Sequence, residues 1–160
     1  ICFDSNQKDF ETFQLECGMF LGHFFIDGFG DGVFLQNNHC TSNQVVETEF
    51  SMLQATRVRM SRTEYVACPS CGRTLFDLQT TLEKVKQTTS HLKHLKIAVM
   101  GCIVNGTGEM ADADYGYVGA GKGKISLYKE KTCIEKNIPE SEAIERLVSL
   151  IKSNGDWVEK

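Results

Sequence analysis

Three features of the chain predict an α/β fold. The stretch from Lys96 to Met100 is apolar and of strand length, as a strand buried on both faces would be. Helically spaced apolar residues precede it in the segment 74–89 and recur in a closing segment that starts after Pro139. Between them lie Gly-rich turns and short apolar runs, the pattern of strands joined by tight connections.

Taken in order, residues 7–24 carry Phe10, Phe13, Leu15, Met19, Phe20 and Phe24, which predicts a helix with these residues on one side. FFIDGFGDGVFL follows as a turn and then a strand from Gly32 to Leu35. A second helix is expected over 43–56, apolar at Val45, Val46, Phe50 and Leu53. TRVRMSRTE is charged and thinly apolar and reads as a domain boundary, giving regions 1–55 and 56–160. In the second region a strand from Tyr65 to Ala67 would deliver Cys68, and Leu75, Leu78, Leu82 and Val85 would line one side of a helix over 74–89. The strand Lys96–Met100 would deliver Cys102, with strands near 115–118 and 124–128 after it. Pro139-Glu140-Ser141 opens the last helix, with Ile144, Leu147, Val148 and Ile151 on one face and Gly155 just past its end.

The chain has 160 residues, a formal net charge of −4 and scattered lysines, which argues against a nucleic-acid partner held by a basic surface. Its apolar runs are too short to span a bilayer, so no membrane association is expected. ICFDSNQKDF has neither the basic start nor the apolar run of a signal peptide, and a first residue of Ile reads as a piece of a longer polypeptide. Seven cysteines, an odd number, do not suit a disulfide framework and fit a reducing compartment with a metal.

The chemistry concentrates in CPSCGRT and MGCIVNGTGEM. Cys68 and Cys71 can reach one centre from a single turn, which Pro69 restricts and Gly72 allows to exit tightly. The start of the following helix would offer backbone N–H groups to it. Cys102 would be held rigidly at a strand end, and Gly106 and Gly108 let the backbone wrap toward Glu109. Three thiolates and a carboxylate suit an iron–sulfur cluster in which the hard oxygen ligand is the exchangeable one. Two other readings stay open at this point. Cys68, Cys71, Cys102 and Cys133 could staple a structural or interaction module around zinc, and Cys68–Cys71 could be a thiol redox pair that needs no metal. GYVGAGK at 116–122 approaches a phosphate-binding loop, but Gly123 stands where Ser or Thr is needed, so it reads as a turn. DGFGDG has no helix after it. Cys2, Cys17, Cys40 and Cys133 read as small apolar residues, and the MADAD carboxylates as solvated.

YVACPSCGRTLFDL and MGCIVNGTGEMADADYGYVGAGKGKISLY together closely resemble the C-terminal region of the 4-hydroxy-3-methylbut-2-enyl diphosphate synthase family, over residues 56–160. The MADADYGYVG string and the closing LIKSNGDWVE resemble the plastid-type, three-domain members, whose middle domain is a degenerate barrel; residues 1–55 look like its end. The resemblance implies a sulfite-reductase-like cluster domain. It implies that Cys68, Cys71, Cys102 and Glu109 hold a [4Fe-4S] cluster, that substrate oxygen displaces the catalytic Glu109, and that Asn105 contacts substrate. The implied activity is an oxidoreductase of isoprenoid biosynthesis. It opens 2-C-methyl-D-erythritol 2,4-cyclodiphosphate to (E)-4-hydroxy-3-methylbut-2-enyl diphosphate with two electrons from ferredoxin or flavodoxin. The catalytic barrel that would share the cyclic diphosphate is absent, so this stretch is expected to be inactive alone. A eukaryotic source, and with it a plastid or apicoplast stroma, is expected in preference to a bacterial cytoplasm. Two departures stand out: Thr107 replaces the Pro of the family's NGPGE, and Phe34 and Gln36 stand where two-domain members carry Arg and Ser.

Overall fold

The computed structural model describes residues 1–68 and 72–159, without the side chains of 105–107. Two compact units divide it, Ile1–Ser61 and Arg62–Lys160. The division falls six residues beyond the charged segment's expected edge because that segment bonds back to the helix before it. Arg59 N–H donates to Leu53 O at 3.1 Å, and Ser61 N–H and Oγ donate to Gln54 Oε1.

The first unit alternates strand and helix: β1 (Cys2–Asp4), α1 (Phe10–Ile26), β2 (Phe34–Gln36) and α2 (Ser42–Ala55), with β1 and β2 paired in parallel. Asp9 caps α1 by accepting from Thr12 N–H at 2.8 Å. Thr41 and Gln44 cap α2 reciprocally. The core is Phe13, Cys17, Leu21 and Phe25 of α1, Leu35 of β2, and Met52 and Leu53 of α2. This corrects the expected face of α1. Leu15, Met19, Phe20 and Phe24 are exposed, because α1 is apolar nearly all round and periodicity cannot select its buried stripe. β1 has no counterpart among the expected elements.

The second unit contains β3 (Glu64–Ala67), α3 (Leu78–Thr89), β4 (Lys96–Met100), α4 (Ile103–Glu109), β5 (Tyr115–Gly121), β6 (Lys124–Lys129), β7 (Thr132–Pro139) and α5 (Glu140–Ser153). Its five strands form one mixed sheet in the order β3-β4-β5-β6-β7, parallel from β3 to β5 and antiparallel from there on. Alternation divides the buried residues between two faces. Ile97, Val99, Tyr115, Tyr117, Ile125 and Leu127 meet Val85 of α3 and Leu147 and Ile151 of α5. On the other face Ala98, Met100, Val118 and Tyr128 meet Met110 and Ala113, with Val66, Cys68 and Cys133 packed at the margin. Every residue of β4 is therefore buried.

Three elements differ from expectation. α3 begins at Leu78, not near 74, because Asp77 caps it through Thr80 N–H at 3.1 Å. The glycine-containing segment after Cys102 is the helix α4 and not an open loop. The unforeseen β7 pairs with β6 through two register shifts and holds Asn137 at φ 57°, which blurs its alternation. GYVGAGK is strand β5 running into the β5–β6 turn, where Gly123 takes φ 67°. Of the MADAD carboxylates, Asp112 pairs with the largely buried Lys96, which also meets Glu64 at 3.4 Å. Asp114 accepts from Lys96 N–H at 2.7 Å. No helix among the described residues is long and apolar enough to cross a membrane.

Candidate metal centre

Cys68 and Cys102 follow directly on the carboxyl ends of neighbouring parallel strands. Ala67 ends β3 opposite Val99 of β4, and Cys102 lies two residues beyond the end of β4. In α/β sheets this edge is where ligands gather, because the connections splay apart there. Cys68 continues the row begun by Val66 and packs at the margin of the sheet face that also buries Met110 and Ala113. Both thiols are half-buried, so they are reachable without lying open to water.

One backbone group is already directed at this sulfur. Gly101 N–H donates to Cys68 Sγ at 3.2 Å. An amide N–H directed at a sulfur is the kind of contact that supports a metal-bound thiolate. α3 starts at Leu78, later than expected, and the Asp77 side chain accepts from the Thr80 N–H of its first turn. Gly101 is gripped from the other side as well. Its carbonyl accepts from Leu75 N–H at 3.3 Å, and a Cβ on it would lie 2.7 Å from Thr74 Oγ1. The close approach beside Cys68 is thus one that a side chain would fill.

Glu109 is the last residue of α4 and is exposed. A helix of this length advances about 10 Å, so α4 carries Glu109 away from Cys102 where a wrapped loop would bring it back. Among the described residues no three His, Cys, Asp or Glu side chains group closely enough to hold a metal ion. Cys71 and the side chain of Asn105 lie outside the described residues. Cys133 is set apart by topology. It lies on β7, paired with Tyr128, and β7 is four strand spacings from β3, about 19 Å. That separation removes the fourth ligand of a zinc staple. Burial, with Glu16 adding to it, pushes the Cys17 thiol up to about 11, so Cys17 is an inert core residue. Cys2, by contrast, is exposed.

The GcpE protein C-terminal domain family matches residues 64–153, more than half the chain. The chain belongs to that family. The GcpE C-terminal match takes in β3, β4 and both described cysteines of the candidate centre. Among curated proteins, one from Parabacteroides distasonis is 61% identical over 155 residues, covering 97% of this chain and 25% of its own length. One from Porphyromonas gingivalis is 54% identical over 95% of the chain and 26% of its own length. One from Chlorobaculum tepidum is 58% identical over 86% of the chain and 18% of its own length. Each is named 4-hydroxy-3-methylbut-2-en-1-yl diphosphate synthase (flavodoxin). The chain spans about a quarter of the length of the first of these. These relatives are bacterial, which overturns the plastid expectation. A bacterial relative matches over 97% of the chain, so the resemblance to plastid-type members does not fix a compartment.

Sequence reasoning singled out Cys68 and Cys102 and passed over Gly101 and Thr74, which lie beside Cys68. The available signal was the glycine immediately before Cys102, at the end of a buried strand where glycine marks close backbone approach.

Proposed function

We propose that this chain is the cluster-bearing part of a bacterial 4-hydroxy-3-methylbut-2-en-1-yl diphosphate synthase. In this reading Cys68, Cys71 and Cys102 hold a [4Fe-4S] cluster as thiolates, with Glu109 as the fourth, exchangeable ligand. The observation that carries it is the delivery of Cys68 and Cys102 to adjacent parallel strand ends, inside a GcpE C-terminal domain. The donor set suits iron, being soft sulfur from rigid strand ends with an amide N–H already on one sulfur.

The reaction adds two electrons and two protons to 2-C-methyl-D-erythritol 2,4-cyclodiphosphate. It yields (E)-4-hydroxy-3-methylbut-2-enyl diphosphate and water. The cluster, when bound, supplies those electrons one at a time and a Lewis-acidic iron for a substrate oxygen. The protein's own groups do the rest. The strand ends fix two sulfurs, and the Gly101 amide stabilises one of them. Glu109, an exposed carboxylate at the end of α4, would be the ligand that gives way to a substrate oxygen, and α4 would have to bring it back toward Cys102 to do so. Asn105 contacts the substrate from α4. Flavodoxin, named with the relatives, is the electron donor, with ferredoxin as the equivalent. The basic residues for the diphosphate come from a barrel domain outside this stretch, which alone assembles the cluster without turning over.

The finer architecture belongs to the same reading. The mixed sheet with α3 and α5 on one face supports a sulfite-reductase-like cluster domain. The first unit's two consecutive strand–helix repeats, paired in parallel, support the end of a barrel-like middle domain.

Anaerobic reconstitution with iron and sulfide tests the reading. A broad brown absorption bleached by dithionite, with about four irons per chain, is the expected result. A colourless protein that carries one tightly held zinc would overturn it.

A further inference from the structure

We propose that Gly119 is a positioning residue for the metal centre: its bare backbone seats the Gly101 peptide so that the Gly101 N–H stays on Cys68 Sγ. This rests on Cys68 being a cluster ligand. The hydrogen bond is 3.2 Å long, and its donor comes from the peptide joining β4 to the residue before Cys102. Three neighbours fix residue Gly101 on its Cα and carbonyl side, and through its Cα the N–H as well. Leu75 N–H binds the Gly101 carbonyl at 3.3 Å, Thr74 closes the side where a Cβ would stand, and β5 presses from behind at Gly119. A Cβ on Gly119 would lie 2.3 Å from Gly101 O and 3.0 Å from Gly101 C. Those are backbone atoms of the carbonyl that leads to Cys102, so no side-chain rotation relieves the clash, and residue Gly101 must shift, carrying its N–H with it. The φ of Gly119 is not in the left-handed region, so space and not conformational freedom demands glycine there.

The same strand supplies a control. Gly116 of β5 is also crowded, but by Met110 Sδ at 2.8 Å and Cε at 2.9 Å, the end of a flexible side chain. Alanine at 116 therefore strains the sheet without pushing on Gly101. An N–H···S bond to a ligating thiolate draws electron density from the cluster and favours its reduced form. Shifting residue Gly101 weakens that bond and lowers the reduction potential.

The test uses reconstituted full-length chain, with iron content, melting temperature and potentiometric EPR measured on wild type, Gly119→Ala and Gly116→Ala. Gly119→Ala is expected to keep its iron and reduce at a lower potential, and Gly116→Ala to reduce at the wild-type potential. Equal potentials in all three, or equal falls in both variants, would overturn the proposal. Should Gly119→Ala fail to fold, wild type decides by itself. With ¹⁵N placed only at Gly101, by chemical ligation of segments at Cys68 and Cys102, the reduced cluster should show a ¹⁵N hyperfine coupling. Absence of that coupling from a loaded cluster refutes the role of Gly101, whereas failure of wild type to take up any iron refutes the metal-centre reading beneath it.

Discussion

Tyr115 Oη donates to Asp156 Oδ2 at 2.7 Å, tying the first residue of β5 to the segment that follows α5. Lys129 Nζ, at the end of β6, donates to both, at 3.2 Å to the phenol and 3.0 Å to the carboxylate. Tyr115 is fully buried, so its hydroxyl depends on these partners. Tyr115→Phe should cost about 1 kcal/mol. It should appear as a lower urea midpoint with an unchanged slope. An unaltered midpoint would mean the network adds nothing to the net balance.

The same network predicts a pH profile. Burial, and then the bond to Asp156, pushes the Tyr115 phenol up to about 12 from 10.0. Its contribution is therefore complete below pH 10 and lost as pH rises through about 12. Bonds from Tyr115 and Lys129 hold Asp156 below its ordinary 3.8, so its contribution is complete above that value and lost as pH falls through the folded one. Urea midpoints against pH should show a plateau with two falling limbs. Tyr115→Phe should make the alkaline limb shallower without abolishing it, because burial raises Tyr117 too. Asp156→Asn should do the same to the acid limb, where Asp9 and Asp77 also contribute through their bonds from Thr12 and Thr80.

Cysteine substitutions separate the candidate ligands. Cys68→Ser and Cys102→Ser should each lose most reconstituted iron, since each removes a thiolate from a strand end. Cys133→Ser should retain it, because β7 lies four strands from β3. Iron loss in Cys133→Ser matching that in Cys68→Ser would contradict the topology-based assignment.

Glu109→Ala should leave iron content near wild type while lowering the turnover of a full-length enzyme at least about tenfold. An iron assay and a rate on the same preparation check both halves. Complete iron loss would make Glu109 a structural ligand and not an exchangeable one.

Much of the second unit is legible in the sequence. β4 has the expected bounds, because a strand buried on both faces reads as a nearly unbroken apolar run, and β3, only half-buried, differs from expectation by one residue. The expected strands put Cys68 and Cys102 just past two neighbouring strand ends, so their placement in the fold follows from the strand pattern. That of Glu109 does not, since glycines at 106 and 108 disfavour a helix while the packing of Met110 and Ala113 against the sheet draws the segment into one. The buried stripe of α1 is hidden for the opposite reason, an excess of apolar residues. Gly119 illustrates a third limit: inside GYVGAGK it reads as part of a turn, and its actual constraint is the backbone of Gly101 on the neighbouring strand's exit, invisible to any local pattern.

The sheet's connections also imply an order of assembly. β5, β6 and β7 are joined by two-residue turns, and hairpins of this kind close in about 1–10 μs. β3 and β4 meet only after the crossover that contains α3, a longer loop with a larger closure entropy. The antiparallel half therefore has the kinetic advantage, and the edge bearing the two thiols completes last. Until that crossover closes, Cys68 and Cys102 stand on separate, mobile segments. Oxygen or a stray disulfide then competes with iron for the same sulfurs, so cofactor loading becomes a race run at the final step of folding.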